Sequence, residues 1–405
     1  MLGNTTNTNM SDETFTILNL NSQKALGNIG GIVFISILMI VGIPGNVIVI
    51  YVYLRKYQPS THRTFIVCLA MVDLSACCLS MPFFIAILRY TISFLNEEVC
   101  KIFHFLTYCL IIGSAFILVT IAAERYRKIC IPHGKQLSEK MSRYICVLDL
   151  LIAGLLSWPG AVLYGNKIYT VETGDIKGNE CTVSDDFAGT KYPAYFNFVL
   201  LFIFIGIVIP IFIMYTLIGK QIWKMNKRNY RKNQPEAFTT DTTRTQITEL
   251  PCSKFTYNAA ATQSSEELGI NLENNSISIL SSECKGGNEI IEVDIKQKYN
   301  TMKPNGDKEK KKNKESLKTI AFTRIFFIIT IVIFGSFLPH WALRFADFLN
   351  KDFLPNLSFP EIVAYQTFRW SFFINSMPNP IIYGFCDRKF RQEVRKMFGL
   401  TQKYP

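Results

Sequence analysis

The chain alternates between long runs of apolar residues and shorter polar segments. Seven of the apolar runs reach the length of about 20 residues that a helix needs to cross a hydrocarbon core of roughly 30 Å. They cover Ile29 to Leu54, Thr64 to Leu88, Val99 to Tyr126, Tyr144 to Tyr164, Tyr192 to Trp223, Ile320 to Phe345 and Ile362 to Phe385. Because backbone polar groups in lipid must be satisfied within their own segment, each run is predicted to be a helix. The pattern therefore predicts an all-α membrane protein, a bundle of seven transmembrane helices.

Polar segments separate the spans and divide the chain into five parts. In order, these are a polar N-terminus (1–28), spans one to five (29–223), a long loop (224–319), spans six and seven (320–385) and a basic tail (386–405). The loop is rich in Asn, Ser, Thr, Glu and Lys, so it is predicted to be largely disordered, with helical extensions of the neighbouring spans at its ends. In the tail, apolar residues recur at helical spacing among basic ones, which predicts a short amphipathic helix on the membrane surface.

Composition and charge agree with a membrane protein and indicate its orientation. Only 18% of the 405 residues are charged and the mean hydropathy is +0.19, which is unusual for a soluble domain. The net charge of +12 would suit nucleic acid, but no zinc, helix-turn-helix or aromatic-sheet signature accompanies it. With the N-terminus outside, the net charge divides into +17 on the cytoplasmic side, −3 outside and −2 within the spans. This matches the positive-inside rule, and it places the sequons at Asn4 and Asn9 where they can be glycosylated.

Polar residues inside a membrane are costly, so those in the spans indicate function. Asn46 lies in the first span and Asp73 in the second. Glu124-Arg125-Tyr126 closes the third span, and the seventh ends in the run from Asn379-Pro380 to Tyr383.

These motifs, in this order on successive spans, resemble those of the rhodopsin-like G-protein-coupled receptors. The resemblance covers residues 29–398 and implies a plasma-membrane receptor without enzymatic activity, with its N-terminus outside and its C-terminus in the cytoplasm. It implies a heterotrimeric G protein as partner, with arrestin, a receptor kinase and membrane lipid as further partners. The run from Glu124 to Pro132 and the long inner loop also resemble peptide receptors of the cholecystokinin and orexin type, in particular their invertebrate members.

The resemblance assigns the G-protein coupling and activation switch to residues on four spans and in the loop that follows the third. They are Glu124, Arg125, Tyr126, Ile131, Tyr215, Phe337, Pro339, Asn379, Pro380 and Tyr383. The chain also departs from the family pattern. Phe337 stands where the family has a tryptophan, Asp149 occupies the position of another tryptophan, and Ile207 replaces a proline if Tyr215 is the landmark tyrosine.

Two further sites follow from the resemblance. Asp73, Ser114, Asn375 and Asn379 match positions that hold an allosteric sodium ion, since hydroxyl, amide and carboxylate oxygens suit a hard cation. The alternative is a protonated Asp73 that is hydrogen-bonded to Asn46; no cofactor is required in either case. Cys100 and Cys181 match the disulfide that ties the second outer loop to the third span, and both face an oxidising compartment.

The ligand class must be sought in the outer half of the bundle. Thr107 stands where amine receptors place an aspartate, and Phe373 where opsins have a lysine, so neither class is expected. The candidate ligand contacts are Arg89, His104, Thr107, Tyr108, His340, Trp341, Arg344, Tyr365 and Arg369. Guanidinium groups pair with carboxylates or carbonyls and rings pack on apolar side chains, so this set suits the acidic or amidated end of a peptide.

Two alternatives to a peptide receptor stay open at this point. A lipid or a small acid could be the ligand, with Arg344 or Arg369 as counter-ion. A transporter would have paired interrupted helices or repeated halves, and the sequence contains neither.

Overall fold

A computed structural model describes residues 5–94, 96–170, 177–233, 306–350 and 353–399 of the chain. Its α-helices are α1 (Thr5–Gly27), α2 (Ile29–Lys56), α3 (Thr61–Ser75), α4 (Met81–Arg89), α5 (Glu97–Cys130), α6 (Glu139–Leu163), α7 (Asp185–Ala188), α8 (Tyr192–Asn233), α9 (Gly306–Leu349), α10 (Phe359–Arg369), α11 (Pro378–Cys386) and α12 (Arg388–Met397). Two strands, β1 (Tyr164–Thr170) and β2 (Lys177–Val183), pair antiparallel in the second outer loop. The words outer and cytoplasmic name the two ends of the bundle according to the orientation that the charge distribution predicts. Helices therefore dominate the described residues, as the apolar runs predict.

Six of the predicted spans are helices long and apolar enough to cross a membrane. Helices α2, α5, α6, α8 and α9 each provide one span, and α3 continues into α4 through a π-helical turn at Ala76–Ser80. The seventh span is broken, because a 3₁₀ turn at Ser371–Ser376 separates α10 from α11. Pro378 and Pro380 follow this turn, and a proline cannot donate the backbone hydrogen bond that would continue a helix.

The bundle residues belong to one compact unit that covers 1–231 and 316–405. A second unit, 232–315, is described only at its ends, where α8 ends at Asn233 and α9 begins at Gly306. These two ends agree with the predicted helical extensions of the fifth and sixth spans. Most of the predicted disordered loop, from 234 to 305, lies outside the described residues.

Apolar side chains occupy both the inside and the outside of the bundle. One buried cluster fills the cytoplasmic half, around Phe65, Ile117 and Phe326, and a second fills the outer half, around Met81 and Phe84. Large apolar side chains also cover the outer surface of the helices; examples are Leu155, Phe202, Phe212 and Phe385, which are 71–77% exposed. A surface of this kind requires a lipid environment.

Spans one and seven approach each other closely at a glycine. A Cβ atom at Gly45 would lie 2.9 Å from Cγ of Pro380, so a larger residue would force the two helices apart. Nearby, the Asn46 side chain donates hydrogen bonds to the carbonyls of Gly42 and Ser376, at 3.0 and 2.8 Å. These contacts hold the first span against the break in the seventh.

The outer end of the bundle carries two elements that the apolar pattern does not indicate. Helix α1 precedes the first span, and its Asn21 bonds the backbone N–H of Ile92 (2.9 Å) and the hydroxyl of Ser93 (2.8 Å). The β1–β2 hairpin follows the fourth span, and Asn179 of β2 bonds the backbone of Phe94 (2.9 Å). The first outer loop thus lies between α1 and the hairpin. Of the two predicted glycosylation sites in this region, Asn4 lies outside the described residues.

Candidate functional site

A cavity opens into the outer half of the bundle. Seven of the nine predicted ligand contacts line it: His104, Thr107, Tyr108, His340, Trp341, Arg344 and Arg369. Arg89 and Tyr365 do not line the cavity, although the Tyr365 ring lies 6.0 Å from the guanidinium carbon of Arg369. The structure therefore brings together most of the set that was chosen from sequence on several separate spans.

The second outer loop contributes one wall of this cavity. The ring of Tyr164, the first residue of β1, stacks on His104 at 4.0 Å, and its hydroxyl shares a 2.8 Å hydrogen bond with the hydroxyl of Tyr108. The implied disulfide is present, and joins Cys100 at the start of α5 to Cys181 in β2, with the two Cα atoms 5.8 Å apart. The disulfide thus holds the hairpin against the third span, next to the cavity wall that Tyr164 and His104 form.

The two arginines of the cavity differ in their contacts: Arg369 has aromatic and backbone neighbours, whereas a nitrogen of Arg344 has no hydrogen-bond partner. The guanidinium of Arg369 lies 5.4 Å from the Trp370 ring, and the Arg369 carbonyl lies 2.6 Å from Nδ1 of His340. Nε of Arg344 is buried and has no hydrogen-bond partner. Within the described part of the chain, no ion pair joins either arginine to an acidic residue.

Aromatic rings form the floor of the cavity. Phe337 lies there, where the family pattern has tryptophan, and its ring centroid is 5.4 Å from Phe204 and 6.4 Å from Phe372. Phe204 also contacts Phe334, at 5.8 Å. Sequence reasoning did not single out Phe204, because an apolar residue in an apolar span carries no signal of its position facing a cavity.

A polar cluster lies in the middle of the bundle, between the cavity and the cytoplasmic end. Nδ2 of Asn379 donates to Oδ2 of Asp73 (2.6 Å), and Nδ2 of Asn375 donates to Oγ of Ser114 (3.0 Å). Four buried oxygen atoms here have no hydrogen-bond partner: Oδ1 of Asp73, Asn375, Asn379 and Asn46. The Asn46 amide donates to two backbone carbonyls, and no hydrogen bond joins it to Asp73 in the described structure. A set of unpartnered oxygens around a carboxylate fits a hard monovalent cation.

At the cytoplasmic end, Arg125 is fully enclosed. Its Nε lies 2.6 Å from Oε2 of Glu124, the preceding residue, and its guanidinium lies 5.6 Å from the ring of Phe326 on α9. Glu124 also receives Lys128 (2.8 Å) and the hydroxyl of Thr61 (3.1 Å). Arg125 is therefore neutralised within its own helix and covered by the sixth span.

Two more of the predicted switch residues, Tyr215 and Tyr383, lie in the buried cluster of the same half of the bundle. Tyr383 is buried beside Tyr53, with ring centroids 5.7 Å apart, and Tyr215 packs edge-on against Phe327 at 5.3 Å. Ile131 follows α5 and is 48% exposed, so its side chain is accessible.

A junction at Asp387, which sequence reasoning did not single out, joins the first span to the amphipathic helix. Oδ2 of Asp387 accepts from the hydroxyls of Tyr53 (3.0 Å) and Tyr57 (2.7 Å). Its Oδ1 accepts from the backbone N–H of Lys389 and Phe390 and thus caps α12. Burial and the bond to this carboxylate raise the pKa of Tyr57, so the hydroxyl keeps its proton and continues to donate. An aspartate directly before a predicted helix was the available signal.

Asp149, which replaces a family tryptophan, lies at the contact between the third and fourth spans. The hydroxyl of Thr120 on α5 donates to its Oδ2 at 3.0 Å. The carboxyl group is thus partnered across the contact between two helices.

Comparison with known proteins identifies the class to which this arrangement belongs. The family model "7 transmembrane receptor (rhodopsin family)" matches residues 45–383, and the chain belongs to this family. It is similar to the neuropeptide S receptor of Mus musculus (26% identity over 47% of this chain and 50% of that receptor). It is also similar to the probable G-protein coupled receptor 34 of Mus musculus (29% over 48% and 51%) and the substance-K receptor of Bos taurus (25% over 46% and 48%). The chain spans about half the length of the curated relatives it matches.

Family membership confirms the predicted fold, a multi-pass bundle of seven transmembrane helices. It also confirms the prediction of a receptor rather than an enzyme, and it gives no support to the transporter alternative.

Proposed function

We propose that this chain is a G-protein-coupled receptor of the plasma membrane that binds a peptide in its outer cavity and activates a heterotrimeric G protein at its cytoplasmic end. The distribution of charge supports an extracellular N-terminus and a cytoplasmic C-terminus. The similarity to a neuropeptide S receptor supports the peptide, and the aromatic and arginine lining of the cavity suits one.

One observation carries the proposal: the same helix forms the floor of the cavity and covers the coupling arginine. Phe337 and Phe326 both lie on α9, eleven residues apart, which is about three helical turns or roughly 16 Å. They therefore lie on the same face of the helix, one against the ligand cavity and the other against Arg125. A shift of α9 that a ligand favours at Phe337 is transmitted to Phe326.

The mechanism is a shift between two populations of the bundle. A ligand that packs against Phe337 binds more tightly to the open form, in which the inner end of α9 has moved away from α5. Arg125 loses its cover in that form, and together with Ile131 it contacts the G protein. The basic inner ends of spans five and six attract the same partner and the anionic inner leaflet. Arrestin and a receptor kinase would use this open end as well.

A peptide-library screen on cells that carry G-protein dissociation sensors tests the proposal. We expect at least one peptide pool to trigger dissociation in cells that express the chain and not in cells that express its Arg125→Ala variant. If no peptide pool triggered dissociation and a lipid panel did, the proposal that the ligand is a peptide would be overturned.

A lipid or small acid is the second candidate ligand of the same receptor. The wall formed by Tyr164 and the two arginines favours it, because a loop-lined cavity with cationic groups also suits an acidic amphiphile. The lipid panel in the screen separates this candidate from a peptide.

A sodium ion at the centre of the bundle is part of the proposal. Asp73, Ser114, Asn375 and Asn379 would hold it, and it would stabilise the resting form by neutralising the buried carboxylate. We expect sodium chloride to raise the unfolding temperature of the purified receptor more than choline chloride does, and Asp73→Asn to remove the difference. Equal effects of the two salts on the unsubstituted chain would contradict the proposal that a sodium ion binds there.

A further inference from the structure

We propose that the outer cavity recognises its ligand through a carboxylate group, which Arg344 and Arg369 hold together. This inference rests on the proposed function and adds the chemical class of the ligand to it. It starts from the charge of the cavity, which contains two guanidinium groups and, among the described residues, no acidic side chain in its lining.

Two like charges in one largely apolar cavity are unfavourable unless an anion lies between or beside them. Among the described residues, Asp347 is the acidic side chain that attracts both guanidinium groups, but it forms an ion pair with neither of them. Its carboxylate instead accepts a hydrogen bond from the hydroxyl of Tyr365. A carboxylate in direct contact with the two arginines is therefore expected to come with the ligand.

The two guanidinium groups are also available to donate. The contacts of Arg369 are with the faces of the Trp370 and Tyr365 rings, which leave its N–H groups without a protein acceptor in the described residues. Nε of Arg344 is buried without a partner. A planar guanidinium donates two parallel hydrogen bonds to a carboxylate, so a pair of arginines recognises this group better than a single lysine would.

The rest of the cavity determines what accompanies the carboxylate. Phe204, Phe334 and Phe337 form an aromatic floor below the arginines. The ligand end is therefore expected to combine a carboxylate with a large apolar side chain. A peptide provides this either at its C-terminus or through an Asp or Glu next to an apolar residue.

The test measures the thermal unfolding of the purified full-length receptor in nanodiscs with three pools of tetrapeptides rich in Phe, Leu and Trp. The first pool has free C-terminal carboxylates, the second is the same pool amidated, and the third is amidated but contains one Asp or Glu. We expect the first or the third pool to raise the unfolding temperature, and the second to have no effect. Which acidic pool protects tells whether the carboxylate is terminal or belongs to a side chain.

Substitutions connect the protection to the two arginines. Arg344→Gln and Arg369→Gln should each raise the half-protecting concentration about tenfold or more, because each removes hydrogen bonds to a charged group. Arg344→Lys and Arg369→Lys keep the charge and guard against a Gln variant that fails to fold; they should protect at intermediate concentrations. Arg143→Gln is the matched control, since that exposed guanidinium lies at the start of α6 and does not line the cavity, and it should leave the protection unchanged.

Three results would overturn the inference: equal protection by the amidated pool, protection by an acidic pool that survives both Gln substitutions, or no protection by any pool. The first result would leave the peptide receptor itself in place. Failure of the proposed function is separate, because it is decided by the response of the G-protein sensors.

Discussion

The two ends of the bundle treat buried arginines in opposite ways. At the cytoplasmic end, Arg125 is 1% exposed and has a carboxylate 2.6 Å away on the adjacent residue. At the outer end, Arg344 and Arg369 line a cavity and have no carboxylate partner among the described residues. The inner arginine has a carboxylate in direct contact, whereas the outer pair is attracted by Asp347 without contacting it.

This difference distinguishes the inner end, which can stay closed without a ligand, from the outer end, which binds one. A buried charge that is already paired does not need a ligand, so the inner end can stay closed by itself. A buried charge without a pair is stabilised by whatever anion arrives, so the outer end gains most when a ligand binds. Helix α9 contributes to both ends, through Arg344 and Phe337 outside and Phe326 inside.

The largest effect is expected from Arg125→Ala. The substitution removes the group that the G protein would contact, so agonist-driven G-protein dissociation should fall to the background of untransfected cells. Ligand protection at the outer cavity should be retained, because Arg125 does not line that cavity. The measurement pairs the dissociation sensor with thermal protection of the same variant.

Arg143→Ala is the matched control for this substitution. Arg143 lies at the inner end of α6, where its side chain is 62% exposed and pairs with Glu139 on the surface. An exposed pair contributes little, so coupling should remain. Loss of coupling and of ligand protection in equal measure in the Arg125 variant would show that Arg125 supports the fold rather than the coupling.

A smaller effect is expected when Cys100 and Cys181 are both changed to Ser. The disulfide closes a separation of 81 residues, which in the chain-entropy model corresponds to at most ~4.5 kcal/mol, and to less in a chain that a bilayer already confines. The unfolding temperature should fall, and ligand protection should weaken further because the wall at Tyr164 loosens. Both are read in one thermal titration.

Cys386→Ser provides the control for the disulfide, because that thiol is exposed and free. It should change neither quantity. If the double variant kept full ligand protection despite its lower unfolding temperature, the hairpin would have no part in the cavity.

The smallest effect is expected from Tyr57→Phe at the Asp387 junction. It removes a 2.7 Å hydrogen bond to a carboxylate while the bond from Tyr53 remains, so the free energy of unfolding should fall by about 1.5 kcal/mol. Tyr51→Phe, whose ring is 47% exposed on α2 shortly before Tyr57, should have no effect. Chemical denaturation of the purified receptor distinguishes the two variants. An equal change in both would show that the hydrogen bond between Tyr57 and Asp387 does not stabilise the fold.

Much of the bundle could be predicted because lipid imposes one length and one backbone structure on every span. The seven apolar runs therefore locate the helices, and polar residues such as Asp73 and Asn379 stand out against them. Their order on successive spans then predicted that they would meet, and they do, at a hydrogen bond of 2.6 Å.

Other features could not be predicted, because they depend on contacts between distant segments. Tyr164 reaches the cavity only because the hairpin folds back toward α5, and its sequence neighbours carry no such signal. The bonds of Asp387 to Tyr53 and Tyr57 join residues more than 300 positions apart. Helix α1 lacks an apolar run, so nothing in its pattern indicated where it begins or ends.

The central claim is that occupation of the outer cavity opens the inner end by moving α9. Spin labels at Tyr144 and Arg324, which are both exposed at the cytoplasmic side, report the separation of α6 and α9. The exposed thiols of the described residues, Cys78 and Cys386, and the two cysteines of the long loop, Cys252 and Cys284, are first replaced by Ser. The distance between the two labels is then measured by double electron–electron resonance in nanodiscs. It is measured with and without the carboxylate-containing tetrapeptide pool that raises the unfolding temperature.

The account predicts a longer-distance population when the pool is added to the otherwise unsubstituted receptor, and none when Arg344 and Arg369 are both changed to Gln. An unchanged distance distribution on addition of the pool, or the same change in the double variant, would contradict it.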